Sequence, residues 1–318
     1  MTKKSTETNV KATNQKEADE IPEIKDSELF SHLFKGYGPE DLNPDKRLYK
    51  DLLTQYLKQE ISKHPVSKKY DLVILFDDST MMKSDADKVY NSVTKFTKDK
   101  PLLLVLFSSG GNPGSAYLIG KLCREYSNGK MVVVIPRYAK SAATLLCCAA
   151  NEIHMGSLSE LGPIDPQING LPALGLKNSI EHIADLVKEN PDSADLFAKY
   201  LSLSIEPIQI GYYERVAESA MQYAENLLST HKENLPRDAK SIAYDLVYKY
   251  KDHGFVIDKT EAIKILGNEI IKGNTDEYDL GNRIYQILES QDRLLTLLKH
   301  NFYFIGSEDS EATINKRR

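Results

Sequence analysis

Two short segments of this 318-residue chain place small residues and a hydroxyl where an apolar run gives way to a helical pattern. The first is Ser109-Gly110-Gly111, which follows the apolar run Leu102–Phe107 and precedes a helical segment from about Ser115 to Tyr126. Paired glycines let backbone amides approach a ligand closely, and a helix N-terminus adds partial positive charge. Such a turn can be a phosphate cradle, an oxyanion hole or only a tight turn. It is not a Walker A loop, because no Gly-Lys-Ser/Thr closes it, and it lacks the GxGxxG spacing. The second segment is Lys140-Ser141-Ala142-Ala143-Thr144, after the run Met131–Ile135. Ser141 stands where a helix should begin, and two roles are open to it. It is a favoured N-cap ahead of closely packing alanines, or a nucleophile whose oxyanion the helix dipole stabilises. If the two preceding strands are parallel neighbours, both turns lie at the carboxyl edge of one sheet.

The elements that must position these turns alternate along the middle of the chain. Residues Tyr70 to Phe76 read as a strand ended by Asp77 and Asp78, and Asp85 to Phe96 as a helix with Val89, Val93 and Phe96 on one stripe. Continuous apolar runs such as Leu102–Phe107 and Met131–Ile135 are the signature of strands buried on both faces. A small-residue helix from Ser141 to Ala150 and a short strand ending at Met155 follow. Buried strands alternating with helices predict an α/β fold with a mostly parallel sheet. Beyond about residue 176 the pattern is helical, over 180–187, 194–203, 211–228, 239–250 and 280–298. That helical C-terminal half is expected to layer on the same core or to form an oligomerisation surface. Residues 1–26 and 306–318 are polar and charged, so both are expected to be disordered tails around one domain spanning 27–305.

Composition narrows the class. Forty-one Lys and Arg against 46 Asp and Glu give a net charge of −5, which argues against a general nucleic-acid binder. Cys123, Cys147 and Cys148 fit neither a disulfide framework nor a zinc pattern, and read as buried small residues in a reducing compartment. No apolar run approaches the roughly 18 residues that span a bilayer, and the N-terminal residues form no apolar signal core. A cytoplasmic protein without an integral membrane segment is expected.

Four segments together resemble the serine dehydrogenase proteinase family. They are Ser108-Ser109-Gly110-Gly111, Ala139-Lys140-Ser141-Ala142-Ala143-Thr144-Leu145-Leu146, Asn151-Glu152-Ile153-His154-Met155-Gly156 and Glu160-Leu161-Gly162-Pro163-Ile164-Asp165-Pro166-Gln167. That family belongs to the Clp protease/crotonase superfamily, with signal peptide peptidase A. The resemblance covers about residues 70–170 and continues more weakly to about 267, through Asp252-His253-Gly254-Phe255-Val256-Ile257-Asp258 and Glu261-Ala262. It implies a Clp/crotonase-like spiral of ββα units and a serine peptidase acting on polypeptides, needing no ATP, metal or cofactor, and forming a homo-oligomer. Ser141 is implied as the nucleophile, the Gly111 and Ala142 amides as the oxyanion hole, and Gly110 as a substrate contact.

The general base stays open at this level. Clp proteases carry a histidine at about the position of Asp165, and signal peptide peptidases use a downstream lysine. The family's Ser, Asp, His chain order implies Ser141, Asp165 and His253, with the aspartate fixing the imidazole tautomer. His253 could instead sit in a turn that ends the helix at Tyr250. Lys140, Lys177 and Lys199 are the amine candidates, although an unburied lysine stays protonated. His154 and His182 read as structural or surface residues, and Asp77 and Asp78 as caps of the turn they precede. Two other functions remain: an inactive crotonase-fold scaffold that binds a protein or peptide, and a crotonase-type enzyme acting on an acyl-CoA thioester.

Overall fold

The computed structural model describes residues 24–35, 46–168, 171–204 and 207–317. Helices α1 (Asp26–Lys35) and α2 (Lys46–Ser62) lead into β1 (Asp71–Phe76), α3 (Lys83–Val93), β2 (Leu102–Phe107), α4 (Pro113–Glu125) and β3 (Met131–Ile135). The chain continues through β4 (Tyr138–Ala139), α5 (Ala142–Cys147), β5 (Glu152–Met155) and β6 (Glu160–Leu161). Strands β7 (Gln167–Ile168) and β8 (Leu171–Pro172) pair with each other before α6 (Ala173–Glu189), α7 (Ala194–Ser204) and α8 (Pro207–Leu228). After α9 (Ala239–Tyr244) come β9 (Ile257–Asp258), α10 (Lys259–Leu266), β10 (Ile271–Lys272), α11 (Asp276–Leu297), β11 (His300–Gly306) and β12 (Thr313–Lys316).

The large sheet has seven strands in the order β10-β5-β3-β2-β1-β11-β12. Its first five strands run parallel, and β11 and β12 are antiparallel additions at one side. The apolar runs are buried on both faces, as their composition predicts. Leu102, Leu104, Met131 and Val133 enter one core, and Leu103, Val105, Val132 and Val134 the other. The first core carries α3, α4, α5, α8 and α9, and the second carries α2 and α11.

Each turn of the chain leaves the large sheet, adds a short extended contact beside it, and returns through a helix. After β1, Met81 bridges to Gly111; after β2, Ser108 bridges to Ala139. After β3, β4 pairs with β6 in a small sheet that β9 completes. This is the spiral of ββα units, and the mostly parallel sheet and C-terminal helices are as anticipated.

The polar ends depart from the tail expectation. Residues 1–23 lie outside the described residues, but Ile24 is buried and its amide donates to Gln59 Oε1 at 3.0 Å. At the other end β12 pairs with β11, and Ala312 and Ile314 are buried in the second core. The physical reason is alternation: in β12 only one residue in two needs to be apolar, so bulk composition hides the strand. The expected helix over 239–250 also divides, passing after Tyr244 into a π-turn over Asp245–Lys249. The three cysteines are buried free thiols, and desolvation pushes Cys123 and Cys148 up to about 12.

Candidate active site

Ser141 precedes the first residue of α5 with φ 50° and ψ −114°. A non-glycine residue at positive φ costs about 1–2 kcal/mol and persists only where its surroundings impose it. Its side chain makes no capping hydrogen bond, so the N-cap role offered by sequence is unfilled and the hydroxyl is left for other work. The turn is held by backbone bonds, with Ala143 N–H donating to Lys140 O at 2.8 Å and Leu145 N–H to Ser141 O at 3.0 Å. The Ala142 amide has no partner among the described residues.

The glycine turn packs directly against it. Ser108 N–H donates to Tyr138 O and Lys140 N–H to Ser108 O, tying the end of β2 to the entry of the serine turn. Gly110 has φ 99°, and a Cβ there would lie 2.5 Å from the Lys140 carbonyl oxygen and 2.9 Å from the Ala142 nitrogen. Gly111 has φ 146°, and a Cβ there would meet Met81 N at 2.3 Å. Both positions therefore need glycine, for conformation and for close approach. Met81 N–H donates to Gly110 O and Asn112 N–H to Met81 O, which holds the segment extended and leaves the Gly111 amide unpaired among the described residues.

Asp165 is brought in by the segment after β6. Thr144 Oγ1 donates to Ala139 O at 2.7 Å and accepts from Gly162 N–H at 3.1 Å, binding α5 to that segment. Ile164 N–H donates to Leu246 O, fixing it against the π-turn. His253 lies on a turn closed by Asp252, whose Oδ1 accepts from Gly254 N–H at 3.0 Å. Its Nδ1 is 3.6 Å from Asp165 Oδ2, with Asp165 buried and His253 31% exposed. Neither Asp165 Oδ1 nor His253 Nδ1 has a hydrogen-bond partner. Burial raises the Asp165 carboxyl above its usual range, and the adjacent His253 opposes the rise.

A cleft of about 490 Å³ opens over these groups, lined by Ser141, Ala142, Gly110, Gly111 and His253 together with Thr80, Ser109, Asn112, Pro113, Ile164, Pro166 and Val216. The five sequence-identified liners thus meet on one surface, and Asp165 sits between two further liners, Ile164 and Pro166. Thr80 and Val216 were missed by sequence reasoning. Thr80 is marked only by its place before the Met81 bridge, and Val216 comes from α8, where nothing local signals a cleft wall.

The remaining candidates lie elsewhere. Lys140 Nζ pairs with Glu160 at 3.0 Å and is turned toward Leu161 O, away from a free-amine role. Lys199 and His182 are exposed on α7 and α6, outside the cleft lining, and the Lys177 side chain lies outside the described set. His154 is buried with Nδ1 2.6 Å from Thr275 Oγ1, and Asp77 accepts from Ser79 N–H at 2.8 Å. Among the described residues no cluster could hold a metal ion.

A family model described as ClpP-like SDH-type serine proteinase matches residues 79–310. Two uncharacterized proteins of Methanocaldococcus jannaschii are 32% identical, over 97 residues (30% of this chain, 34% of the relative) and 92 residues (29% and 31%). The match spans only about a third of each of these relatives. Among solved structures, a mutant of the 1510-N membrane-bound stomatin-specific protease aligns with a TM-score of 0.41 and 14% identity, covering 70% of this chain and 86% of that one. A second mutant of it, in complex with a substrate peptide, gives 0.41 and 14% over 78% and 88%. ClpP1 from Listeria monocytogenes gives 0.41 and 14% over 71% and 99%. The family match covers well over half of the chain, from the end of the β1 turn to β11, and takes in both glycines, Ser141, Asp165 and His253; this chain belongs to the ClpP-like SDH-type serine proteinase family.

Proposed function

We propose that this protein hydrolyses peptide bonds with Ser141 as nucleophile, His253 as general base and Asp165 as its orienting partner. The observation that carries the reading is convergence. An uncapped serine at positive φ, two unpaired amides and a histidine backed by a buried carboxylate face one cleft. Family membership favours a peptide over an acyl-CoA thioester as the substrate.

With Nδ1 turned to Asp165, His253 has Nε2 left to take the Ser141 proton as Oγ attacks the scissile carbonyl carbon. The carbonyl oxygen becomes an oxyanion held by the Gly111 and Ala142 amides at the positive end of α5; one such donor is worth about 3–4 kcal/mol. His253 then gives its proton to the leaving amine, the C–N bond breaks, and an ester remains on Ser141. Water, deprotonated by the same imidazole, attacks that ester and releases the acid. The 3.6 Å separation is longer than a hydrogen bond, as in many unliganded sites that tighten around substrate.

Two broader proposals accompany this one. Self-association is supported by Leu196, Tyr200 and Leu203, which leave an exposed apolar ridge along α7. A cytoplasmic location is supported by three free, buried thiols. Among the described residues no helix is long and apolar enough to cross a membrane.

The test is labelling by a serine-reactive fluorophosphonate, read by intact mass. One adduct is expected on the wild type, none on Ser141→Ala, and labelling slowed about 100-fold or more in His253→Ala. Persistence of the adduct in Ser141→Ala sinks the reading. Labelling indifferent to His253→Ala but lost in Lys177→Ala or Lys199→Ala transfers the base to a lysine.

A further inference from the structure

A second concavity, of about 250 Å³, lies behind the serine turn on the other face of the large sheet. Its floor is aromatic. Phe107 stacks on Phe76 with centroids 4.9 Å apart, and meets Tyr138 at 4.4 Å and Tyr285 at 5.0 Å. Three carboxylates, Asp78, Glu289 and Asp292, stand around these rings. They are unequally compensated. Asp78 is engaged by the Tyr138 hydroxyl and Glu289 by the largely exposed Arg293 at 2.7 Å. Asp292 has no hydrogen-bond or ion-pair partner among the described residues. Burial, then repulsion from Glu289, raises its carboxyl against the pull of the more distant Arg317.

The donor arrangement selects the ligand. No three acidic, histidine or cysteine side chains among the described residues lie close enough to share a metal ion, so these carboxylates do not converge on a point charge. They are spread around π-faces, which suits a broad cation that presents both apolar surface and N–H donors. Arg137 already shows the geometry locally, with its Cζ 4.6 Å from the Tyr285 ring centroid.

We propose that this concavity binds an organic cation, the guanidinium or alkylammonium head of an arginine or lysine group, seated on the aromatic floor with Asp292 and Asp78 as counter-charges. The site is back to back with the catalytic candidate. The Asp78 carbonyl accepts from Ser109 Oγ at 3.1 Å, and Tyr138 opens the β4 segment that runs directly into Ser141.

The test is an NMR titration of the full chain carrying Ser141→Ala, with N-acetyl-argininamide and a glycine-flanked arginine peptide as ligands and N-acetyl-citrullinamide as the neutral isostere. Because the readout is binding, it does not depend on whether Ser141 cleaves peptides. Saturable, salt-weakened binding of both arginine ligands is expected, with at least tenfold weaker binding of citrulline and at least tenfold loss in Asp292→Asn. A peptide that binds more tightly than the amide assigns the cation to a polypeptide; equal binding assigns it to a free amine. Equal affinity for citrulline, or an unchanged affinity in Asp292→Asn, overturns the proposal. Asp292→Asn should also melt at the same temperature as its parent or higher, because it removes an uncompensated carboxylate. A lower melting temperature makes Asp292 a structural group and overturns the proposal as well.

Discussion

Ser141 pays for its exposure with backbone strain, and that strain is measurable apart from any chemistry. At φ 50° and ψ −114° a Cβ is disfavoured, whereas glycine tolerates the conformation. Ser141→Gly is therefore expected to be about 1 kcal/mol more stable than Ser141→Ala in denaturant titrations, although both lose fluorophosphonate labelling. If the alanine variant is equally stable, the turn is not strained. The neighbouring Gly110→Ala goes the other way. Its Cβ would meet the Lys140 carbonyl oxygen at 2.5 Å, so the two turns must part and labelling should fall with them. Ser141 and the glycine pair were legible in the sequence because their chemistry is local: residue type, order and a following helix. Asp165 and His253 were not legible in that way. Nothing in their immediate surroundings says they meet, and only the resemblance of Leu161–Gln167 and Asp252–Asp258 to a known family paired them. Val216 had no signal, because a wall contributed by a distant helix exists only after folding.

The elements that support the site were legible in proportion to how much apolar surface they bury alone. Strands β1, β2 and β3 are continuous apolar runs, and α4 and α5 begin at recognisable turns. Strands β4, β6 and β9 are two residues each and are defined only by pairing, which no single segment encodes. Helix α5 ends against a residue that sequence reading passed over. His231, in the turn after α8, is buried with Nε2 3.0 Å from the Cys148 carbonyl oxygen, which makes Nε2 the donor and leaves Nδ1 unprotonated and unpaired. Desolvation lowers its pKa below the ordinary 6.5; Arg124 lowers it further, while the Cys148 bond and Glu233 oppose the fall. The unfolded chain therefore takes up this proton first as pH drops. The stabilising effect of a neutral His231 is complete above about 6.5 and is lost as pH falls from there toward the depressed folded value. Denaturant midpoints at pH 7.5 and 5.5 should separate more in the wild type than in His231→Gln. An equal separation in both removes His231 from the pH response.

At the scale of the whole molecule, one sheet carries two functions back to back, the cleft over α5 and the acidic aromatic concavity beneath α11. Both depend on the sheet staying closed at its β1 side, where β11 and β12 are added antiparallel after a long helical excursion. Phe76 shows the dependence. It packs on Phe107 in the concavity and is paired across the sheet with Phe304 of β11. The outermost strand covers β11 with Ile314, which is 6% exposed, and Ala312 is fully buried beside it. Polar residues dominate the last stretch of sequence, so composition alone assigns it to solvent; the structure makes it the edge that protects β11 from pairing with another chain. Ile314→Asp distinguishes the two views. Losing an isoleucine side chain from the core costs about 2–3 kcal/mol, and burying an unpaired carboxylate adds to that. The variant should melt several degrees lower and aggregate on heating through the uncovered β11 edge, while Glu311→Gln on the exposed side leaves the transition in place. An unchanged melting curve for Ile314→Asp would return residues 307–317 to the solvent, and with them the claim that the chain's last strand holds the sheet on which both sites are built.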